Sequence, residues 1–175
     1  MPTQRALVVF PEGDGLHVVE SLRTRFDPLA DVIAAHATLV FPFTGELSAA
    51  ELRDHIERAI DGQHEFRARF EGVVETKDEY LFLNATVGAE RLVNLHDRLY
   101  EGVLAQHLSR AHEYRPHITI GRLRDPAARA GALLAARALS PVVDTVVRAV
   151  SVFRLDDAGG GRVELVVKLL RPTTP

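Results

Sequence analysis

Hydrophobic patterning passes through the same order twice along this chain, and that repetition restricts the fold more than any single motif does. In the first half, ALVVF (6–10) is a short buried strand closed by Pro11 and a Gly-Asp-Gly turn. Val18, Leu22 and Phe26 recur at i, i+4 and i+8, which predicts a helix over about 15–26 that stops before Pro28. HATLVF (36–41) is the next strand. Ser48-Ala-Ala-Glu51 is a capping box, and Leu52, Ile56, Ala59 and Ile60 supply the buried stripe of the helix it opens. FRARFEGVV (66–74) sets Arg67 and Arg69 outward against Phe66, Ala68 and Phe70, a period of two and so a strand.

The order then restarts. YLFLNATV (80–87) is a strand, and Leu92, Leu95, Leu99 and Val103 mark a long helix over about 89–109. HITIGRL (117–123) is a strand, and Asp125 before Pro126 starts an alanine-rich helix running to Leu139. VVDTVVRAVSVFRL (142–155) is expected to be one strand, with RVELVVKLL (162–170) returning antiparallel. The glycine run 159–161 between them is followed by no helix, so a hairpin turn is expected there and not a phosphate cradle. The chain thus reads as βαβαβ twice, in lobes of about 5–75 and 80–155 within a single domain of 175 residues, plus an extra C-terminal strand.

In each half, one strand carries a histidine and a threonine on the face opposite its core residues. His36 and Thr38 alternate with Ala37 and Leu39, and His117 and Thr119 with Ile118 and Ile120. The two histidines are 81 residues apart, about half the chain. Residues i and i+2 of a strand project together, roughly 6.5–7 Å apart. If the two strands meet near a pseudo-twofold axis, two imidazoles and two hydroxyls converge on one cleft. That set suits a phosphodiester. A neutral imidazole can deprotonate water or a hydroxyl, and an imidazolium opposite can protonate the departing oxygen. Threonine hydroxyls can donate to the non-bridging oxygens, where charge builds in the transition state. Histidine titrates near pH 6.5, so both protonation states are available at neutral pH.

Chance does not account for the pair. With eight histidines and 15 Ser plus Thr, roughly 0.15 His-x-Ser/Thr triplets flanked by apolar residues at both +1 and +3 are expected. A third triplet, His107-Leu108-Ser109, meets Arg110 at the last position and is read as a decoy.

The tetrads HATL and HITI, on matching strands of a duplicated chain, resemble those of the two-histidine phosphoesterases, nearest to the bacterial 2′-5′ RNA ligase-like branch. FPF after the first motif and Arg-Pro before the second agree, and the resemblance covers roughly residues 5–170. It implies an α+β fold with antiparallel sheets around a central cleft and helices outside. It also implies metal-independent hydrolysis of 2′,3′-cyclic phosphates or 2′-5′-linked ends, without a cofactor. By the resemblance, His36 is the proton donor, His117 the acceptor, and Thr38 and Thr119 hold the phosphate. Arg122 would add charge at the cleft edge only if a bulge at Gly121 turned it onto the face of His117.

Composition narrows the partners. The chain has no cysteine, which removes thiolate nucleophiles and Cys-based zinc sites. A net charge of −3 favours a nucleotide or a short RNA end over a long nucleic acid gripped by its backbone. No apolar run is long enough to span a bilayer and no signal-peptide core is present, so a cytoplasmic protein is expected, monomeric and with no obligate protein partner. Arg67 and Arg69 are read as solvated, Phe41 as core, and His17, His55, His64, His96, His107 and His112 as solvent-facing. None of these histidines clusters as a metal site. A non-catalytic module binding a nucleotide or RNA end in the same cleft remains the alternative to the enzyme. A scaffold with no cleft chemistry would leave both tetrads unexplained.

Overall fold

The computed structural model describes residues 3–156 and 159–172. Its elements are β1 (Thr3–Val9), α1 (Leu16–Phe26), β2 (Ala37–Gly45), α2 (Ala49–Ala59), β3 (Phe66–Glu75), β4 (Tyr80–Val87), α3 (Ala89–Leu99), β5 (His117–Arg122), α4 (Pro126–Leu139), β6 (Val142–Val147), β7 (Ala149–Leu155) and β8 (Gly161–Lys168). The fold is α+β. Eight antiparallel strands form one curled sheet in the order β6-β3-β4-β5-β2-β1-β7-β8. α1 packs on β5, α2 on β8, α3 on β2 and α4 on β3. The main core lies between these helices and the sheet. A smaller cluster of Ala6, Val8, Ile33 and Phe153, with Phe10 and Leu155 against it, contains no helix residue and covers part of the sheet's other face.

The helix starts are of two kinds. α2 and α4 open on side-chain caps: Ser48 and Glu51 form the capping box, and Asp125 accepts from the Ala128 amide with Pro126 at the first position. α1 and α3 instead open on left-handed glycines, Gly15 (φ 89°) and Gly88 (φ 72°). A Cβ at Gly15 would collide with the Val142 carbonyl, and one at Gly88 with the Arg67 carbonyl. Both glycines therefore serve a close backbone approach as well as a turn.

Hydrogen bonding sorts the strands differently from chain order. β3 pairs with β4 and β6, while β7 pairs with β1 and β8. The two halves of the sheet are thus β6-β3-β4-β5 and β2-β1-β7-β8, so β3 of the first half of the chain lies among strands of the second, and β7 of the second lies beside β1 of the first. The run 142–155 is correspondingly two strands and not one. Val143, Thr145 and Val147 are buried, then Val150 and Val152, so the parity of the buried positions flips at Arg148 as the chain crosses from β6 to β7.

The expected helix over 89–109 is also shorter. α3 ends at Leu99, and after Gly102 (φ 56°) the chain continues as a 3-10 turn over Gly102–His107. The turn expected over 156–161 lies partly outside the described residues. Its described part has the Asp156 amide donating to the Gly160 carbonyl.

Candidate active site

The two halves of the sheet meet where β2 and β5 run antiparallel with Ala37 facing Ile118, their one ladder pair among the described residues. Both of those residues are fully buried. The register sets Thr38 across from His117 and His36 across from Thr119, with all four side chains on the face opposite the helices. Residues directly across have Cβ atoms about 4.5–5.5 Å apart, and diagonal ones about 7–8 Å. The two imidazoles are the diagonal pair. Across the sheet, the row at this level reads Glu71, Asn84, His117, Thr38, Val8, Ser151 from β3 to β7.

Both imidazoles are oriented in the same way. His36 Nδ1 lies 2.8 Å from the Ala34 carbonyl, and His117 Nδ1 2.6 Å from the Arg115 carbonyl. A carbonyl only accepts, so Nδ1 carries the hydrogen in each ring and Nε2 is left for the cleft. A neutral ring then offers a lone pair at Nε2, and a protonated one offers an N–H there. Burial pushes both imidazoles below the usual histidine range, and the carbonyl at Nδ1 pulls each back up. His36 is further lowered by Arg23 and raised by Asp27 and Glu20. The charge of His36 is felt at His117 and lowers it.

Thr38 and Thr119 are half-buried, and neither hydroxyl bonds to another described residue. Arg122 is turned onto the cleft face. Phe82 pairs with Thr119 but Leu81 with Gly121, so Ile120 is the extra residue of a bulge. Arg122 consequently lies across from Tyr80, its guanidinium 5.2 Å from that ring and 3.7 Å from the Glu79 carboxylate.

β2 shares so little ladder with β5 that its backbone finds partners elsewhere. The Tyr114 hydroxyl donates to the Thr38 carbonyl (2.8 Å), His96 Nδ1–H to the Leu39 carbonyl (2.7 Å), and the Phe41 amide to the Tyr100 hydroxyl (3.0 Å). His96 lies parallel to Tyr114, with ring centroids 3.7 Å apart. The expectation that the other histidines face solvent fails for two of them: His55 and His96 are buried and each bonds to a backbone carbonyl. A polar ring taken out of water needs such a partner. Phe41 is exposed, against its reading as core, while Phe43 is buried with Leu39, because β2 carries register shifts beyond Thr38. Arg67 is exposed as expected, but Arg69 is half-buried between Glu71 and Asp144.

Four residues beside the motifs were not singled out from the sequence. Phe82 lies on His117, Phe10 stands near His36, Asn84 is across from His117, and Tyr114 ties down Thr38. The signal for Phe82 and Asn84 is present in YLFLNATV, where they alternate with the buried Leu81 and Leu83. Among the described residues no three His, Asp or Glu side chains gather as a metal site, and no helix is long and apolar enough to cross a membrane.

Solved structures of the same architecture give the fold a reference. Escherichia coli LigT complexed with 3′-AMP aligns with a TM-score of 0.66 at 16% identity, covering 97% of this chain and 99% of that one. A crystal structure described as a phosphoesterase aligns at 0.64 with 16% identity, covering 97% and 99%. LigT complexed with phosphate aligns at 0.59 with 17% identity, covering 97% and 98%. No protein of curated function matches the sequence. At these identities the structures speak for the fold, while the sequence itself matches a family model over residues 10–159, which includes both motifs: the chain belongs to the 2′-5′ RNA ligase superfamily.

Proposed function

We propose that this protein is a metal-independent phosphodiesterase acting on 2′,3′-cyclic phosphates or 2′-5′-linked nucleotide ends, a cytoplasmic monomer with no cofactor. The observation that carries the reading is the matched pair of imidazoles, each with Nδ1 on the carbonyl two residues before it and each beside the other motif's threonine. Family membership supports phosphoester chemistry, and the nucleotide and phosphate held by LigT support a phosphate site in this architecture.

For a 2′,3′-cyclic phosphate, neutral His117 takes a proton from water as the oxygen attacks phosphorus. The P–O3′ bond breaks, protonated His36 delivers its proton to O3′, and a 2′-phosphate leaves. The order of the two roles follows the family resemblance. Thr38 and Thr119 hydroxyls donate to the non-bridging oxygens, and Arg122 adds positive charge at the rim. One imidazole must be neutral and the other protonated, so kcat/KM follows a bell-shaped pH curve whose limbs belong to the pair. Chromatography of products from 2′,3′-cyclic nucleotides, ADP-ribose cyclic phosphate and 2′-5′ dinucleotides tests the proposal. A 2′-phosphate product formed in excess EDTA is expected. Tight nucleotide binding with no turnover of any of them would identify a binding module instead.

A further inference from the structure

The two motif histidines are approached by very different backbone. Before His117, the Ala85 amide donates to the Pro116 carbonyl and the Tyr114 hydroxyl reaches Thr38, while the charged pair of that segment, Arg115 and Glu113, is exposed and, among the described residues, bonds only side chain to side chain. Before His36, the backbone is held by charge. Arg23 of α1 is almost fully buried and donates to the Ile33 carbonyl (2.8 Å), to Glu20 (3.0 Å) and to Asp27 (3.0 Å). Glu20 accepts from the Ala35 amide at 2.6 Å, and Asp27 accepts from the Leu29 amide at 3.0 Å. The groups held at Ile33 and Ala35 flank Ala34, whose carbonyl fixes His36 Nδ1. A buried guanidinium with carboxylates is an inefficient way to stabilise a loop, since apolar packing of the same volume often does as well or better. The other repeat builds the equivalent approach without it.

We propose that Glu20, acting with Arg23 and Asp27, is a positioning residue for His36, holding the 29–35 segment so that the Ala34 carbonyl orients the imidazole and placing a net negative cluster behind it. The consequence for rate rests on the acid–base reading of His36, while the consequence for the imidazole itself does not. The charged groups acting on His36 are Glu20 and Arg23 of α1 and Asp27 just beyond its end. The Phe10 ring stands beside it, and His117 lies diagonally across the sheet.

The test compares Glu20→Gln, which keeps an acceptor for the Ala35 amide but loses the charge, with Glu20→Ala, which loses both. In the free protein, the NMR titration of His36 moves to lower pH in Glu20→Gln, because a carboxylate that favours its cation is gone, and His117 moves less. Against a 2′,3′-cyclic nucleotide, Glu20→Ala lowers kcat at least ~tenfold with little change in KM, since misplacement of a catalytic group costs up to ~10²-fold, and Glu20→Gln restores most of it. Urea midpoints establish that both variants are folded. An unmoved His36 titration in Glu20→Gln, or a folded Glu20→Ala at wild-type kcat, overturns the proposal. If no substrate is turned over, the functional reading fails, and the titration still decides whether the cluster acts on His36.

Discussion

Phe82 lies flat against His117, with ring centroids 3.6 Å apart and planes 19° from parallel, whereas Phe10 stands 6.2 Å from His36 at 59°. Histidines that are equivalent in sequence are therefore not equivalent in surroundings. The Phe82 ring and the Arg115 carbonyl together leave the His117 imidazole one orientation, and the ring face favours a positive charge above it. A stacked aromatic pair is worth about 0.5–1.5 kcal/mol beyond its buried area. Phe82→Leu is thus expected to lower kcat on a 2′,3′-cyclic nucleotide about 2- to 10-fold, and Phe10→Leu less. Steady-state kinetics on the two variants check this, and equal effects would count against the asymmetry.

The paired motifs set the largest expected effects. His36→Ala and His117→Ala each lower kcat by at least ~10², the low end for one acid or base. Thr38→Ala and Thr119→Ala cost roughly tenfold, as a neutral hydroxyl donor contributes about 1–2 kcal/mol. All four variants are expected to fold, because these side chains face the cleft. Kinetics paired with circular dichroism read both quantities. A His36→Ala protein at near wild-type rate would show that the acid–base pair is misassigned.

What could be read from the sequence was whatever obeys a local period. The order of the strands and helices as far as α4, the Ser48 and Asp125 caps and the facing of His36, Thr38, His117 and Thr119 all follow from alternation or capping chemistry between neighbours. What could not be read depends on register between distant strands. Ile120 bulges only because Leu81 and Phe82 pair with residues two apart, and that bulge decides where Arg122 points. Phe41 leaves the buried face it would share with Leu39 and Phe43 for the same reason. The exchange of β3 and β7 between the halves is equally invisible locally, although the parity flip at Arg148 was a signal of it. His96 looked like a surface residue because an α3 position reveals its partner, the Leu39 carbonyl, only after packing.

Stability should depend on pH through the same histidines. Burial lowers His36, His96 and His117 below the ordinary value of 6.5. The unfolded chain then binds protons more readily than the folded one between the ordinary value and the folded values. Stability is full above about pH 6.5 and is lost as pH falls through the folded values. Urea midpoints should therefore decline from pH 7 to pH 5. His96→Gln, which keeps a donor for the Leu39 carbonyl and removes one titrating group, should flatten that decline. A midpoint constant over this interval would mean that burial does not act on these imidazoles.

Tyr114 offers the most direct test of how the two motif strands are held together. It lies three residues before His117, and its hydroxyl donates to the carbonyl of Thr38 in the other motif. With one ladder pair between β2 and β5 among the described residues, this bond is a second tie between them. Burial pushes the phenol above the usual tyrosine range, so it remains a donor at any working pH. Tyr114→Phe keeps the ring and its parallel contact with His96 and deletes only the donor. The Thr38 carbonyl then loses a hydrogen bond in a part-buried place, which should cost about 1–2 kcal/mol of stability. Thr38 should also shift relative to His117, so kcat should fall more than KM changes. Urea denaturation and kinetics read the two effects separately. Lost stability with full kcat would make Tyr114 a brace for the fold alone, and wild-type values in both would show that Ala37 and Ile118 hold the motifs without it.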